Sequence, residues 1–326
     1  MKKNNLNLLP DSRSTVGNPR WITAGPGGVM VDDEPASASH SITIAVRHYD
    51  LAATLTSGQA FRWSSHDDGW IGVIGGGAGA ERSRWVRLRL EKTGIRAETA
   101  EPVSDWRWLT HYLQTDLELE PVLAAFPDDE PMRAAVNSCR GLRLLRQPPW
   151  ECLASFILSS TKQIVQIRQI VALLCERFGE PVPTPDGSPC HSFPSPERIA
   201  GLTEAELRAC KMGFRAPYLL ASARAIANGE FRLERLRDQS AEVARAGLMQ
   251  LPGVGRKIAD CVLLFAYGFS EVFPVDVWVT KALRQLYFAK RRPTAKRLQR
   301  FSETYFGPQA GYAQQYLFHY VRTKLK

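Results

Sequence analysis

Hydrophobic and polar residues alternate in three short stretches between Ser41 and about Ala100: Ile42-Thr43-Ile44-Ala45-Val46, Trp70-Ile71-Gly72-Val73-Ile74 and Trp85-Val86-Arg87-Leu88-Arg89-Leu90. A period of two sends successive side chains to opposite faces, so this region predicts a small antiparallel sheet. Between the second and third stretches, Gly75-Gly76-Gly77-Ala78-Gly79 opens no helix and has no Gly-Lys-Ser/Thr after it, so it reads as a hairpin loop rather than a phosphate loop. From Trp106 onward the spacing becomes helical. Helices are expected over 151–159, 164–178, 216–228, 240–249, 256–267, 277–288, 294–305 and 310–323. Ser195-Pro196-Glu197 has an N-cap followed by Pro at the first helical position, and Thr203-Glu204-Ala205-Glu206 has capping-box spacing. The proline-rich segment 180–196 reads as a surface loop, and no fixed-period repeat suggests a solenoid.

Residues 1–40 carry no sustained period and are rich in Asn, Ser, Gly and Pro, which predicts a disordered tail. Leu6-Asn7-Leu8-Leu9 is too short for the apolar core of a signal peptide, so a cytoplasmic protein is expected. Met30 is a candidate alternative start, which the intact mass of natively expressed protein would test. At 326 residues the chain has room for about two domains, placed at 41–146 and 147–326. The fold class is α+β, a small antiparallel-sheet domain followed by an all-α domain.

Composition narrows the function classes. With 44% hydrophobic and 23% charged residues the chain is neither disordered nor fibrous. No apolar run approaches the ~18–20 residues that cross a bilayer. Lys and Arg number 42 against 33 Asp and Glu, and the net +9 favours a polyanionic partner such as nucleic acid, though a solvated basic surface looks the same. The six cysteines are scattered with no C-x-x-C pair, which argues against zinc and iron–sulfur sites and fits free thiols.

The run that carries chemistry is Leu251-Pro252-Gly253-Val254-Gly255-Arg256-Lys257-Ile258-Ala259-Asp260-Cys261, followed by Phe273-Pro274-Val275-Asp276. One amphipathic helix ends in the Gly/Pro turn and a second begins at once. Gly253 and Gly255 allow a sharp turn and a close approach, and the N–H groups that start the second helix favour an anion such as a DNA phosphate. A plain tight turn between packed helices would use the same residues. Lys257 lies in the first turn of the second helix, where the dipole disfavours positive charge, and a neutral lysine amine is a nucleophile for a sugar carbon. The plainer role is a phosphate contact. Asp276 opens the next helix, either simply as its N-cap or as a carboxylate facing positive charge on a sugar.

This pattern resembles the helix-hairpin-helix DNA glycosylases, and within them the 8-oxoguanine DNA glycosylase/lyase branch. The resemblance spans roughly residues 42–323. It rests also on Ser57-Gly58-Gln59-Ala60-Phe61-Arg62-Trp63, Pro149-Trp150-Glu151-Cys152-Leu153, Gly213-Phe214-Arg215-Ala216 and Gly311-Tyr312-Ala313-Gln314. It implies that the all-α domain is a helix-hairpin-helix glycosylase core. It implies Lys257 as the nucleophile at C1′ and Asp276 as the stabiliser of an oxocarbenium-like transition state. Gly58 would offer its carbonyl to the N7 hydrogen of 8-oxoguanine, Gln314 would read the Watson–Crick edge, and Phe318 and Cys261 would sandwich the flipped base. Gly253, Val254, Gly255, Phe214 and Arg215 would contact DNA. The carbonyls of Met249, Leu251 and Val254 could hold a structural cation in the hairpin. Neither a metal nor an organic cofactor is required by the reaction. The partner is double-stranded DNA with an oxidised purine, there is no membrane partner, and a monomer is the default.

Spacing adds to this. Lys257 and Cys261 are four apart, as are Gln314 and Phe318, so each pair shares a helix face. A ring beside an edge-reading amide suits a flipped base, although an ordinary core helix gives the same spacing. Several positions depart from the family pattern. Thr161, Lys162 and Gln163 replace consecutive asparagines, Gln166 replaces an arginine that reads the orphaned cytosine, Phe214 replaces a tyrosine wedge, and Trp278 replaces a histidine after the catalytic aspartate. Two alternatives stand beside the main reading: a related glycosylase for another damaged base, and a non-catalytic module that uses the hairpin only to grip DNA.

Overall fold

The structure is a computed structural model that describes residues 39–75, 82–289 and 293–324. Most of the expected tail, Met30 and Gly76 to Gly79 lie outside the described residues. The chain runs β1 (Ser39–Ile44), α1 (Leu51–Thr56), β2 (Ser64–His66), β3 (Gly69–Ile74), β4 (Arg84–Glu91) and β5 (Gly94–Val103). Helices follow: α2 (Arg107–Leu113), α3 (Leu119–Ala124), α4 (Glu130–Ser138), α5 (Pro149–Leu158), α6 (Ile164–Phe178), α7 (Pro196–Ala200) and α8 (Glu204–Ala209). The remainder are α9 (Ala216–Ala227), α10 (Ala241–Leu248), α11 (Arg256–Val262), α12 (Val277–Tyr287), α13 (Ala295–Thr304) and α14 (Ala310–Lys324). None of the described helices is long and apolar enough to cross a membrane.

The five strands form one sheet in the order β1-β5-β4-β3-β2, with antiparallel neighbours throughout. Ile74 pairs with Arg84, so the glycine-rich stretch joins adjacent antiparallel strands. The inner face takes Val86 and Leu88 from the alternation read in sequence and adds Ile95 and Ala97; all four are fully buried against Leu51, Leu55, Trp63, Leu109 and Leu113. At one end of this core Trp63 Nε1 donates to Tyr112 Oη at 2.9 Å. Sequence patterning missed β5, the strand that pairs with both β1 and β4. Its inward residues after Ile95 are the small Ala97 and the polar Thr99, too weak an alternation to register as apolar.

α5 is the hub of the helical layer. Every residue from Cys152 to Leu158 is buried, as a helix surrounded by others requires. α6, α9 and α11 pack directly on it, and α6 through α14 all contribute to the same apolar core. That core also takes in Leu119, Val122, Phe126, Met132, Ala135 and Leu144, because α4 returns to lie against α14. The helical layer therefore reaches back before residue 146. Ser195 caps α7 by accepting from Arg198 N, and Thr203 and Glu206 close the capping box on α8.

Two residues bind the sheet side to the helical side. Gln59 is fully buried; its Nε2 donates to the carbonyls of Thr54 and Arg143, each at 2.8 Å, and its Oε1 accepts from Leu145 N at 2.8 Å. Gln147 Nε2 donates to the Gln59 carbonyl at 2.7 Å. The loop carrying Gly58 is thus held from both sides.

Candidate active site

α10 and α11 are joined by the turn 249–255. Gly253 has φ +77, and a Cβ there would lie 2.6 Å from the Tyr218 ring, so both conformation and space demand glycine. Gly255 differs. It caps α11 in extended conformation, with φ −90, and a Cβ would meet nothing within 4 Å. The sharp turn belongs to Gly253 alone, while Gly255 leaves open space in front of the first N–H groups of α11.

α11 gives way to a wider π-turn over Leu263–Tyr267 where an unbroken α-helix was expected. The cause is competition for carbonyls. Arg146 Nη1 donates to Leu264 O at 3.1 Å and Gln147 N to Phe265 O at 2.8 Å, while Gly268 N–H reaches back to Leu263 O. Gly268 has φ +82, and a Cβ there would overlap the Arg146 guanidinium at 2.3 Å. Such widened turns cluster at functional sites.

One cavity of about 50 Å³ is lined by Lys257, Asp276, Gly58, Cys261, Gln314 and Phe318, together with Phe156, Phe265, Pro274 and Gln315. All six residues expected to act on the damaged nucleotide therefore meet. Larger cavities of about 920 and 260 Å³ contain none of the Gly58, Gln314 and Phe318 set, although Lys257 also borders the smaller of those two.

Lys257 Nζ lies 3.2 Å from Ser159 Oγ and 5.1 Å from the centroid of the Phe156 ring. Phe156 stacks on Phe265 at 5.5 Å and meets Phe61 edge-on at 5.7 Å, giving the pocket a rigid aromatic floor. Asp276 caps α12, its Oδ1 accepting from Val279 N at 2.7 Å. Burial pushes the Cys261 thiol up to about 12 against the opposing pull of Lys257, so sulfur faces the pocket as a neutral wall. Gln314 is 4% exposed, and among the described residues its Oε1 has no hydrogen-bond partner. A buried acceptor left unpaired costs about 1–3 kcal/mol, a debt that a ligand donor would cancel.

Gly58 has φ +81, and a Cβ on it would come 2.7 Å from Ile164 Cδ1, 3.2 Å from Arg322 Nη1 and 3.4 Å from Phe318. Its loop is held by residues that sequence reasoning missed. Gln315 Nε2 donates to Ser57 O at 3.0 Å, and Arg322 Nη2 donates to Thr56 O at 2.5 Å. The Arg322 guanidinium also lies 5.4 Å from the centroid of the Phe318 ring. Burial lowers its pKa, against the opposing effect of Asp276. A glutamine among neighbouring glutamines and an arginine on a C-terminal helix carry no signature of such a role.

The residues expected to contact DNA divide into outward and inward groups. Phe214 is half exposed. Val254 is buried, so only its backbone can face a ligand. Arg215 stacks on Phe214 at 4.2 Å but is itself buried; it donates to Ser160 O, to Thr161 Oγ1 at 2.5 Å and to Met212 O at 3.2 Å. Thr161 is thus occupied within the protein. Gln166 is too: it closes a capping box with Gln163 at the start of α6, its Oε1 accepting from Gln163 N at 3.1 Å. Trp278 stands half exposed near the start of α12 with Lys281 Nζ 5.3 Å from its ring centroid. Arg256, beside Lys257, pairs with Glu303 at 2.6 Å and Asp260 at 3.7 Å, and Asp260 also takes Arg245 at 2.5 Å. The implied hairpin cation would meet neutral carbonyls only, and that of Leu251 already accepts from Val254 N at 3.1 Å. Among the described residues no group of three or more His, Cys, Asp or Glu side chains could hold a metal.

Comparison with known proteins agrees with this geometry. Residues 41–153 match the N-terminal domain of 8-oxoguanine DNA glycosylase, and residues 154–308 match the HhH-GPD superfamily of base excision DNA repair proteins. N-glycosylase/DNA lyase OGG1 of Arabidopsis thaliana is 31% identical over 331 residues, spanning 95% of this chain and 83% of its own length. The chain belongs to the 8-oxoguanine DNA glycosylase family. This glycosylase is also 31% identical over 217 residues to a probable N-glycosylase/DNA lyase of Methanothermobacter thermautotrophicus, covering 60% of this chain and 69% of the relative. Clostridium acetobutylicum 8-oxoguanine glycosylase/lyase, solved with double-stranded DNA containing cytosine opposite 8-oxoguanine, superposes with a TM-score of 0.78. It is 28% identical, and the match covers 85% of this glycosylase and 93% of the Clostridium chain.

Proposed function

We propose that this glycosylase excises 8-oxoguanine from double-stranded DNA and then cuts the strand at the abasic site. The observation that carries the reading is the shared pocket. A lysine amine, a fixed carboxylate, an unpaired amide oxygen and a side-chain-free backbone position line one cavity, and a mere DNA grip needs none of these together. The start of α11 grips a phosphate, Phe214 fills the gap in the stack, and the damaged nucleotide enters the pocket. Gln314 takes donors on the Watson–Crick edge, and the Gly58 carbonyl takes the N7 hydrogen that guanine lacks. The Lys257 lone pair forms a bond to C1′ as the base leaves with the glycosidic electron pair, and the amine gives up a proton. Asp276 stabilises the positive charge that builds on the sugar, the role open to its oxygen not held by Val279. Opening of the sugar leaves an imine at C1′, and β-elimination breaks the bond on the 3′ side. No cofactor takes part. The enzyme acts as a monomer, one chain enclosing one base, in the nucleoid or nucleus.

Borohydride trapping on a duplex with one 8-oxoguanine tests this. A covalent adduct is expected with wild type and none with Lys257→Gln; Asp276→Asn should cut trapping by about a hundredfold while leaving DNA affinity intact. If wild type traps only a preformed abasic site, the lesion is another base. If it traps neither, the catalytic reading is wrong. Because Thr161, Gln166 and Arg215 are all engaged within the protein, discrimination between C, A, G and T opposite the lesion is expected to be shallow.

A further inference from the structure

Two serines end α5, and their hydroxyls make the same local bond. Ser159 Oγ donates to Phe156 O at 2.7 Å and Ser160 Oγ to Ile157 O at 3.4 Å. Only Ser159 also meets Lys257, at 3.2 Å. A hydroxyl has one proton. With that proton committed to Phe156, the Ser159 oxygen can only accept, so the amine must be the donor.

We propose that Ser159 is a positioning residue for the nucleophile, orienting the lone pair of Lys257. The inference rests on the reading of Lys257 as the attacking group. A neutral amine has two N–H bonds and one lone pair. Ser159 accepts one N–H, and the Phe156 ring, its centroid 5.1 Å from the nitrogen, offers the lone pair no polar donor. Holding one N–H narrows the orientations open to the lone pair and favours those that face the pocket shared with Cys261 and Asp276. Left unfixed, the amine would rotate about its last carbon–nitrogen bond and present the lone pair to C1′ only part of the time.

The turn that carries Ser159 is held from its far side. Arg215 donates to Ser160 O and to Thr161 Oγ1, and Thr161 sits at φ +57, a conformation that a β-branched residue adopts only under restraint. Arg215 therefore clamps the segment whose first residue holds the amine. The same arginine lies against Phe214 on the face proposed to meet DNA.

The test uses the full chain and a duplex with a preformed abasic site, so that base recognition plays no part. Single-turnover trapping is measured at saturating DNA alongside DNA affinity. Ser159→Ala should lower the trapping rate about tenfold with affinity unchanged, as a misdirected reacting group requires. Ser159→Thr, which keeps the oxygen, should return the rate to within about twofold of wild type. Ser160→Ala, which loses only the local bond, should trap like wild type. The proposal is overturned if Ser159→Ala traps at the wild-type rate, or if Ser160→Ala falls with it, which would make the effect one of helix-end fraying. Lys257→Gln separates the two ideas: a full adduct from that variant removes the nucleophile reading itself, whereas loss of the adduct beside an unaffected Ser159→Ala removes only the positioning role.

Discussion

Gly58 shows how much a missing side chain can decide. Its positive φ alone would cost an alanine about 1–2 kcal/mol. The added methyl would also press on Ile164 and Arg322, beside Phe318 of the base pocket. Gly58→Ala is therefore expected to lose 8-oxoguanine excision while still trapping a preformed abasic site, because Lys257 and Asp276 lie on other elements. Parallel assays on the two duplexes check this, and equal loss on both would assign Gly58 to the fold rather than to recognition. The chemistry at this scale was legible because Lys257, Asp276, Gly58, Gln314 and Phe318 sit in short runs of distinctive sequence. Ser159, Gln315 and Arg322 were not legible. Each acts through one hydrogen bond set by long-range packing, and Ser159 reaches a partner 98 residues away. Arg215 was foreseen as a DNA contact, yet its inward bonds to the 160–161 turn follow from geometry that no local pattern encodes.

At the scale of elements the helices were easier to read than the strands. α6 spans the expected 164–178, since its apolar period is long. β5 was hidden by small and polar inward residues. The π-turn was hidden because its cause, the capture of two carbonyls by Arg146 and Gln147, lies more than a hundred residues earlier in the chain. The hairpin separates two glycines that sequence treats alike. Gly253→Ala should destabilise the protein by about 1–3 kcal/mol through its left-handed φ, and by more if Tyr218 cannot yield. Gly255→Ala should cost only a few tenths of a kcal/mol, since its backbone is extended and its surroundings are open. In binding the order should reverse: folded Gly255→Ala loses affinity for undamaged duplex because its methyl stands where a phosphate approaches α11. Urea unfolding and titration with undamaged DNA measure the two effects, and a wild-type affinity for Gly255→Ala would remove the phosphate from that position.

At the scale of the whole molecule, the site exists because sheet and helices are locked together. Gly58 comes from the loop after α1, Lys257 from the hairpin, Asp276 from the start of α12, and Gln314 and Phe318 from α14. The cavity they share, about 50 Å³, is where these separate elements converge. The loop of Gly58 must be held in place for the site to exist, and the buried Gln59 ties it to the segment 143–145. Gln59→Ala would leave the carbonyl of Arg143 and the N–H of Leu145 without their side-chain partner and take one of two from the carbonyl of Thr54. Thr54 O keeps the Ser57 hydroxyl, so two groups are left unpaired, and at about 1–3 kcal/mol for each the expected loss is roughly 2 kcal/mol or more, large against the stability of a typical domain. If the sheet and helices unfold as one unit, a single transition moves to lower urea with its slope unchanged. Were Gln59 a local prop only, the midpoint would hold and excision alone would fall. Unfolding followed by tryptophan fluorescence distinguishes these outcomes, because Trp63 and Trp106 report the sheet side and Trp150 the helical side.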